Sequence, residues 1–202
     1  VLTITLGDLV LNGGSVTTSN GLTATGTGNV RLDAVAGAIT LNTGMDAGSG
    51  NLTILANTDL TQSASNNIIT TAGDVDVQVG GNVTMDDGAT VATTGGQIRY
   101  AVKDNLSLGS LQTTNGNISL IANSITDSGT NETDLSAQAL RVEITGTAGG
   151  FGQTGNHIDT NVSSLSATAG TAGFFMTEAD GITITKLSAI TTNRVQADGT
   201  VS

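Results

Sequence analysis

Residues 68–116 of this 202-residue chain repeat one short phrase three times. The phrase reads apolar-x-Thr-Thr-x-Gly, and its closing glycines are 23 and 20 residues apart. A repeat of this length is typical of a solenoid, in which each repeat forms one layer of a stack. The three copies are Ile68-Ile69-Thr70-Thr71-Ala72-Gly73, Val91-Ala92-Thr93-Thr94-Gly95-Gly96 and Leu111-Gln112-Thr113-Thr114-Asn115-Gly116.

Segments in which apolar and polar residues alternate surround the phrase and share its spacing. One such segment follows each copy, as in Asp74-Val75-Asp76-Val77, and a second follows about eight residues later, as in Gly81-Asn82-Val83-Thr84-Met85. Alternation with a period of two is the pattern of a β-strand with one buried face. It places Val75, Val77, Val83 and Met85 inside, with Asp76 and Thr84 outside. Three short strands per period therefore form one coil of a parallel β-helix.

Strand openings of the same kind extend the repeat toward the N-terminus. They begin at a series of glycines spaced by 20 to 23 residues, namely Gly7, Gly28, Gly50, Gly73, Gly96 and Gly116. We expect Gly and Asn at the corners to supply the positive φ angles that sharp turns need. At this period the whole chain makes about nine coils, which gives a rod on the order of 43 Å long at the spacing of stacked strands.

The chain reads as a single β-solenoid over residues 1–202, and its regularity changes along its length. Coils are regular in residues 1–121 and less regular, with loop insertions, in residues 122–202. Residues 130–136, which include Glu132 and Asp134, are expected to bulge out as one such loop. Residues 190–195 resemble a late copy of the Thr-Thr phrase. Because the sequence begins in the middle of the pattern, it looks like a piece of a longer chain.

Composition agrees with a thin core and narrows the possible partners. The chain has 28 Gly, no Pro, no Cys and no Trp, with 2% aromatic and 11% charged residues. Val, Ile, Leu and Ala from short stacked strands can fill a thin core, and a proline would remove a ladder donor from a central strand. A net charge of −11 with six basic residues makes nucleic acid and anionic lipid poor partners. No apolar run approaches 18 residues, so we expect no membrane insertion.

Strands that open with Gly-Asn and are linked by Ile-x-Thr-Thr-x-Gly, in a chain without Cys or Pro, resemble filamentous-haemagglutinin-like repeat regions of large secreted bacterial adhesins. Residues 149–162 and 174–182 look like a module that recurs in giant bacterial surface proteins. The resemblance covers essentially the whole chain and implies a right-handed β-helix, export to the cell surface, and further repeats beyond this segment. It supplies no catalytic residues. It favours a stalk or fibre segment, whose partners would be flanking repeats or identical subunits stacked end to end.

Two sets of residues are candidates for sites. Asp86, Asp87, Glu178 and Asp180 stand in Gly-flanked turns, where hard cations such as calcium find oxygen ligands, although no known calcium-loop spacing is present. Solvated turn acids are the simpler interpretation, and no cofactor is otherwise expected. Adjacent residues on a strand face opposite ways, so one residue of the Phe174-Phe175 pair is a candidate for a surface contact.

Other functions remain open at this stage. The first is a carbohydrate- or surface-binding β-helix module that recognises host or surface glycans. The second, a polysaccharide-degrading β-helix enzyme, needs clustered carboxylates or an Arg or Lys base on one outer face. Asp74 and Asp76 lie together on one strand, but aromatic platforms for sugars are nearly absent, so we expect no enzyme. The third is binding to ice or another flat surface through a threonine column, and only one threonine of each Thr-Thr pair can face outward.

Overall fold

The computed structural model describes residues 1–13, 20–130 and 133–202 as an all-β solenoid of stacked parallel strands. Residues 14–19, and Asn131 and Glu132 of the predicted loop, lie outside the described residues. The strands are β1 Leu2–Ile4, β2 Leu9–Leu11, β3 Asn20–Thr23, β4 Val30–Ala34, β5 Ile39–Leu41, β6 Gly44–Asp46, β7 Leu52–Ala56, β8 Leu60–Gln62, β9 Asn67–Thr70, β10 Val75–Val79, β11 Val83–Met85, β12 Thr90–Thr93, β13 Ile98–Val102, β14 Asn105–Leu108, β15 Ser110–Thr113, β16 Asn117–Ala122, β17 Ser124–Asp127, β18 Leu135–Ile144, β19 Gly150–Phe151, β20 Ile158–Thr168, β21 Gly173–Phe174, β22 Met176–Glu178 and β23 Thr183–Ile184.

The strands form three walls, each made by every third strand of the chain. The first wall contains β1, β4, β7, β10, β13, β16, the C-terminal parts of β18 and β20, and β23. The second wall contains β2, β5, β8, β11, β14, β17, β19 and β21. The third contains β3, β6, β9, β12, β15, the N-terminal parts of β18 and β20, and β22. The prediction of a parallel β-helix with three strands per coil is confirmed.

The stack makes about seven turns, fewer than the predicted nine. Seven steps separate the two ends of the eight-stranded second wall, which corresponds to roughly 34 Å at the usual strand spacing. The first turn is long, because Leu2 pairs with Leu32, and the turn before the last is long too, because Val142 pairs with Ala167. Residues 187–202, which we call the C-terminal segment, contain no strand of the stack.

The predicted inward and outward assignments hold in the middle of the stack, but the assignment of the first coil was wrong. Val75, Val77, Val83 and Met85 are buried at 4% exposure or less, whereas Thr84 is exposed. Gly7 and Gly28 do not open equivalent strands of successive coils. Gly28 precedes a first-wall strand, whereas the strand after Gly7 pairs with Ile39–Leu41 of the second wall. The first-wall strand of that coil is Leu2–Ile4, which pairs with β4.

The corner glycines of the Thr-Thr phrase are required by space. A Cβ on Gly73 would lie 1.9 Å from the carbonyl oxygen of Gly50, and one on Gly96 would lie 1.9 Å from that of Gly73. Neither of these glycines has a positive φ, so the expectation based on backbone conformation was wrong at these corners. Positive φ occurs instead in turns such as the one at Gly88. The phrase ends in glycine because each coil passes directly over the backbone of the coil before it.

The first threonine of each phrase ties that corner together. Thr93 points inward with 5% exposure, and its hydroxyl accepts the Gly96 N–H at 3.0 Å and donates to the Gly73 carbonyl at 3.0 Å. Thr70 and Thr113 make the equivalent bonds. The second threonine, such as Thr94, is exposed. One hydroxyl therefore satisfies a donor in its own coil and an acceptor in the preceding coil, in an interior where unpaired groups are costly.

A ladder of side-chain oxygens stands beside these glycines, where the first wall begins. Each oxygen accepts the backbone N–H of the equivalent residue in the next coil, at 2.7 to 2.9 Å. Asn, Asp and Gln can all fill the position, because each offers a carbonyl-type oxygen. The ladder runs through Asn29, Asn51, Asp74, Gln97 and Asn117.

Candidate functional site

The predicted calcium candidates lie in two separate parts of the solenoid. Asp86 and Asp87 are exposed at the corner after β11, whereas Glu178 and Asp180 belong to the last coils. Glu178 accepts hydrogen bonds from the Thr160 hydroxyl and from the Val162 N–H, while Asp180 is exposed. Within residues 1–13, 20–130 and 133–202, no three His, Cys, Asp or Glu residues are grouped in a way that could hold a metal ion.

Phe174 and Phe175 face different surroundings near the C-terminal end of the stack. The Phe174 ring stacks on the buried Phe151 ring, with centroids 4.6 Å apart, and continues the inner column of the second wall. The Phe175 ring lies 5.9 Å from the ring of the exposed His157. Both phenylalanines are half-buried. A surface contact at this pair stays a prediction, and Phe175 is the one of the two that leaves the inner column.

The outer surface of the first wall carries the densest set of charged groups. All four arginines of the chain lie on this wall or on the C-terminal segment that crosses it: Arg31, Arg99, Arg141 and Arg194. The two lysines lie elsewhere in the chain, at 103 and 186. Strand register aligns Arg31, Thr53, Asp76, Arg99, Ser119 and Arg141 in one outward column.

The C-terminal segment covers the middle of this column and buries Asp76 and the neighbouring Asp74. Asp76 is completely buried, and its carboxylate accepts from Arg99 Nη1 at 2.9 Å, from Arg194 Nε at 2.8 Å and from the Thr192 hydroxyl at 3.1 Å. Asp74 accepts the backbone N–H of Asn193 at 2.7 Å. Both carboxylates, which the sequence placed on an open wall, therefore serve to hold the chain's own C-terminal segment.

A second set of contacts anchors the same segment to the two coils that precede the coil of Asp76. The Val195 N–H donates to the Thr53 hydroxyl at 2.9 Å, and the Val195 carbonyl accepts from Arg31 Nη1 at 2.9 Å. Val195 is fully buried. After it the chain turns back in a small hairpin, in which Arg194 and Ser202 exchange backbone hydrogen bonds. Residues 190–195 resemble the Thr-Thr phrase in sequence but form no strand of the stack, and no glycine follows Thr192 to make the corner.

Two cavities remain between the C-terminal segment and the upper part of the first wall. The larger, of about 400 Å³, is bordered on the wall by Arg99, Ser119, Ile121, Arg141 and Glu143 and on the segment by residues 189–192 and Arg194. The smaller, of about 360 Å³, is bordered by Gln97, Asn117, Ala139 and residues 187–191. Residues 189–191 border both cavities. Cavities of this size match small-molecule sites.

Arg141 is the guanidinium of the larger cavity that is least engaged with the protein. Its Nη2 pairs with Glu143 at 2.9 Å, and its side chain is 26% exposed. Arg99 and Arg194 share Asp76. The surrounding donors assign the Gln78 carboxamide oxygen to the side that faces these arginines, where it accepts from both. The cavity therefore combines one firmly held pair of guanidiniums with a third that keeps N–H groups available.

A separate pair of buried carboxyl groups lies at the edge of the predicted loop. Asp134 is 1% exposed and accepts the Asp159 N–H at 2.7 Å, and its carboxyl group contacts that of Asp127. Burial, reinforced by the nearby charges of Asp127 and Asp159, raises the pKa of Asp134 to about 8. Burial also raises the pKa of Asp127. At neutral pH the two carboxyls share a proton, because two like charges in contact cannot both ionise.

Comparison of the chain with family models, with curated proteins and with solved structures finds no match. The described residues include no helix that could cross a membrane.

The arginine cavity and the C-terminal segment are the features that sequence reasoning missed. One signal in the sequence could have drawn attention to this wall. Three of the four arginines occupy outward positions of first-wall strands, and the fourth is residue 194.

Proposed function

We propose that this chain is a structural stalk or fibre segment of an extracellular, adhesin-like bacterial surface protein. The observation that carries the proposal is the continuity of the parallel ladders along all three walls, from β1 to β23. Each coil is hydrogen-bonded to the coils above and below, which makes a solenoid stiff along its axis. The resemblance to filamentous-haemagglutinin-like repeats supports the extracellular, cell-surface location.

The role we propose is mechanical and requires neither catalysis nor a cofactor. Support comes from the carboxylates that an enzyme of this architecture would need on an open wall. Asp74 and Asp76 instead hold the C-terminal segment, and Asp127 and Asp134 face each other in the interior. The acids at exposed corners, such as Asp86 and Asp87, stand away from both pairs.

The partners we propose are further coils, supplied by flanking repeats or by an identical subunit. Among the described residues, the outer edges of β1, β2 and β3 have no strand partner. Leu2 and Leu6 beside this edge are 42% and 83% exposed. An unpaired edge with exposed apolar side chains is a template for another strand, and a coil stacked there would pair the edge and cover Leu2.

Small-angle scattering and electron microscopy of the purified chain test the proposal. We expect elongated particles that join end to end as concentration rises, and a circular dichroism spectrum dominated by β-structure. The double variant Leu2→Lys/Leu6→Lys should stop the joining. Val35→Lys is the matched control, because Val35 is 51% exposed at a corner on the side of the rod and should leave joining unchanged. Compact particles at all concentrations would contradict the stacking.

Location requires a separate experiment on cells that express the full-length gene. Brief protease treatment of intact cells should release peptides of this chain into the medium, while a cytoplasmic marker protein stays inside. Recovery of the peptides only after lysis would contradict an extracellular stalk.

A further inference from the structure

The larger cavity under the C-terminal segment has an unusual charge for this protein. The chain as a whole carries −11, yet three guanidiniums and one carboxylate border the cavity. Asp76, which lies beneath Arg99 and Arg194, neutralises one more of these charges. The surplus that remains is a single positive charge. Such a balance suits a ligand with one negative group and disfavours a polyanion, which the acidic surroundings would repel.

We propose that this cavity is a binding site for a sugar acid, such as a hexuronate residue at the end of a glycan chain. The Arg141 guanidinium receives the carboxylate through the N–H groups that Glu143 leaves free. Planar guanidinium groups match carboxylates in a two-pronged geometry. The existing pair with Glu143 is partly exposed at both ends, and exposed pairs of this kind are weak. A ligand carboxylate can therefore compete for Arg141.

Groups that recognise hydroxyls stand around this guanidinium. Arg99 and Arg141 lie about 10 Å apart at the spacing of stacked strands, and Ser119 is buried between them at 1% exposure, so it spaces the two arginines and is not one of the recognising groups. On the opposite side, the C-terminal segment offers the exposed Thr191 hydroxyl, whereas the Thr192 hydroxyl donates to Asp76 and can only accept from a ligand. Ile121 supplies an apolar surface for the face of a sugar ring. A neutral sugar could use the hydroxyl groups but would leave the surplus guanidinium charge unmatched.

The smaller cavity shows where the next sugar residue of a longer glycan would lie. It follows residues 189–191 toward Gln97 and Asn117 at the start of the first wall. Its border carries amide and hydroxyl groups and no arginine. The two cavities together fit an acidic residue in the first and a neutral residue in the second. This site is independent of the proposed stalk role, because a stalk segment without it would stack in the same way.

Calorimetric titration of the intact chain with a disaccharide of one galacturonate linked to one galactose tests the proposal. We expect saturable binding, while the matched galactose disaccharide, which lacks the carboxylate, binds at least tenfold more weakly. Sodium acetate supplies the carboxylate without the sugar and should also bind at least tenfold more weakly. Equal affinity for the acid and neutral disaccharides, or for acetate, would overturn the assignment to a sugar acid, as would the absence of saturable binding.

Variants locate the site. Arg141→Gln should weaken disaccharide binding at least tenfold, and Arg141→Lys should fall between this variant and the wild type, because it keeps the charge and loses the planar fork. Lys103→Gln removes an exposed positive charge at another corner and should bind as the wild type does. Unchanged affinity of the folded Arg141→Gln variant would overturn the proposal.

Proteolysis of the C-terminal segment gives a second measurement, which is independent of calorimetry. A ligand held between the wall and the segment should slow tryptic cleavage after Lys186 and Arg194, with severalfold protection at a saturating disaccharide concentration. Arg141→Gln should lose this protection while its cleavage without the disaccharide stays at the wild-type rate. Protection that persists in Arg141→Gln would place the ligand elsewhere.

Discussion

The inside and the outside of the first wall are held together by different kinds of interaction. Inside, the strands stack mostly aliphatic side chains in columns, and successive coils make similar contacts. Outside, Arg31, Thr53, Asp76 and Arg99 each have a different role, and contacts to residues 192–195 span 116 to 164 residues of sequence. The inner face is therefore a repeated structure, whereas the outer face is a specific one.

This difference shows where function is expected in such a fold. A column that must match itself at every coil has little freedom to vary, because interiors are close-packed. The outward positions of the same strands have no such constraint and can collect unlike residues. On this protein they collect the four arginines, the C-terminal segment and the two cavities.

The largest effect we predict comes from the corner that closes each inner repeat. Gly96→Ala places a methyl group where the Gly73 carbonyl oxygen stands, and the backbone must move to accept it. We expect a loss of more than about 3 kcal/mol in the free energy of unfolding, measured by chemical denaturation.

Gly95→Ala is the matched control for that corner. Its new methyl group would lie 3.7 Å from the nearest atoms, which is ordinary contact, so we expect a change below about 0.5 kcal/mol. Similar losses in the two variants would show that close approach of the coils is not what selects glycine at position 96.

The next prediction addresses the outer face. Asp76→Ala removes the acceptor that Arg99, Arg194 and Thr192 share and leaves two guanidiniums without their buried partner. We expect destabilisation of about 3 kcal/mol and release of the C-terminal segment, seen as faster tryptic cleavage after Lys186 and Arg194. Asp104→Ala, at an exposed corner, should leave both measurements unchanged. A cleavage rate for Asp76→Ala equal to that of the wild type would mean that the segment is held by other contacts.

The same contrast explains how much could be predicted from the sequence. The alternation of Val75, Asp76 and Val77 identifies a strand and its inner side, because the period of two follows from strand geometry alone. The covering of Asp76 could not be predicted in this way. It depends on Arg194, which lies 118 residues further along the chain and belongs to no repeat.

The glycine and aspartate positions show two other limits of sequence reasoning. Gly73 was correctly placed at a corner, but the physical reason is the carbonyl of Gly50, which belongs to a neighbouring coil. Asp134 was expected in a bulging loop and is buried instead, directly before β18. A single sequence does not show which coil a residue will lie against, so reasons that involve two coils appear only in the structure.

A third prediction separates the two threonines of one phrase. Thr93→Val removes the hydroxyl that serves both Gly96 and Gly73 and leaves the two backbone groups unpaired. We expect a loss of about 2 kcal/mol in the free energy of unfolding. Thr94→Val, at the exposed neighbour, should change it by less than about 0.5 kcal/mol. Equal effects at the two positions would remove the distinction between the inner and outer threonines.

The fourth prediction concerns the buried carboxyl pair and pH. Because the pKa of Asp134 is raised from 3.8 to about 8, the folded chain keeps a proton that the unfolded chain releases. The pair's contribution to stability is therefore complete below pH 4 and is lost as pH rises toward 8. In Asp134→Asn the amide oxygen can still accept the Asp159 N–H, and the amide nitrogen can donate to Asp127.

Chemical denaturation of Asp134→Asn and the wild type at several pH values tests this sign. We expect the variant to gain on the wild type as pH rises, by at least about 2 kcal/mol at pH 9, with little difference at pH 4. Asp87→Asn removes an exposed carboxylate and should show no such trend. A gap between Asp134→Asn and the wild type that stays constant with pH would show that the two carboxyls do not share a proton.

The smallest effect that we predict is a gain in stability inside the repeat. Tyr100 is fully buried between Val77 and Leu120, and its hydroxyl has no hydrogen-bond partner among the described residues. Burial also raises the pKa of this hydroxyl well above its ordinary value. Tyr100→Phe removes the unpaired group and keeps the ring, so we expect stabilisation of about 1 kcal/mol by chemical denaturation. Tyr100→Leu, which makes the column uniform but leaves a cavity, should destabilise by about 1 kcal/mol or more. If Tyr100→Phe were instead destabilising, the hydroxyl would have a partner, and this inner column would contain one specific contact like those of the outer face.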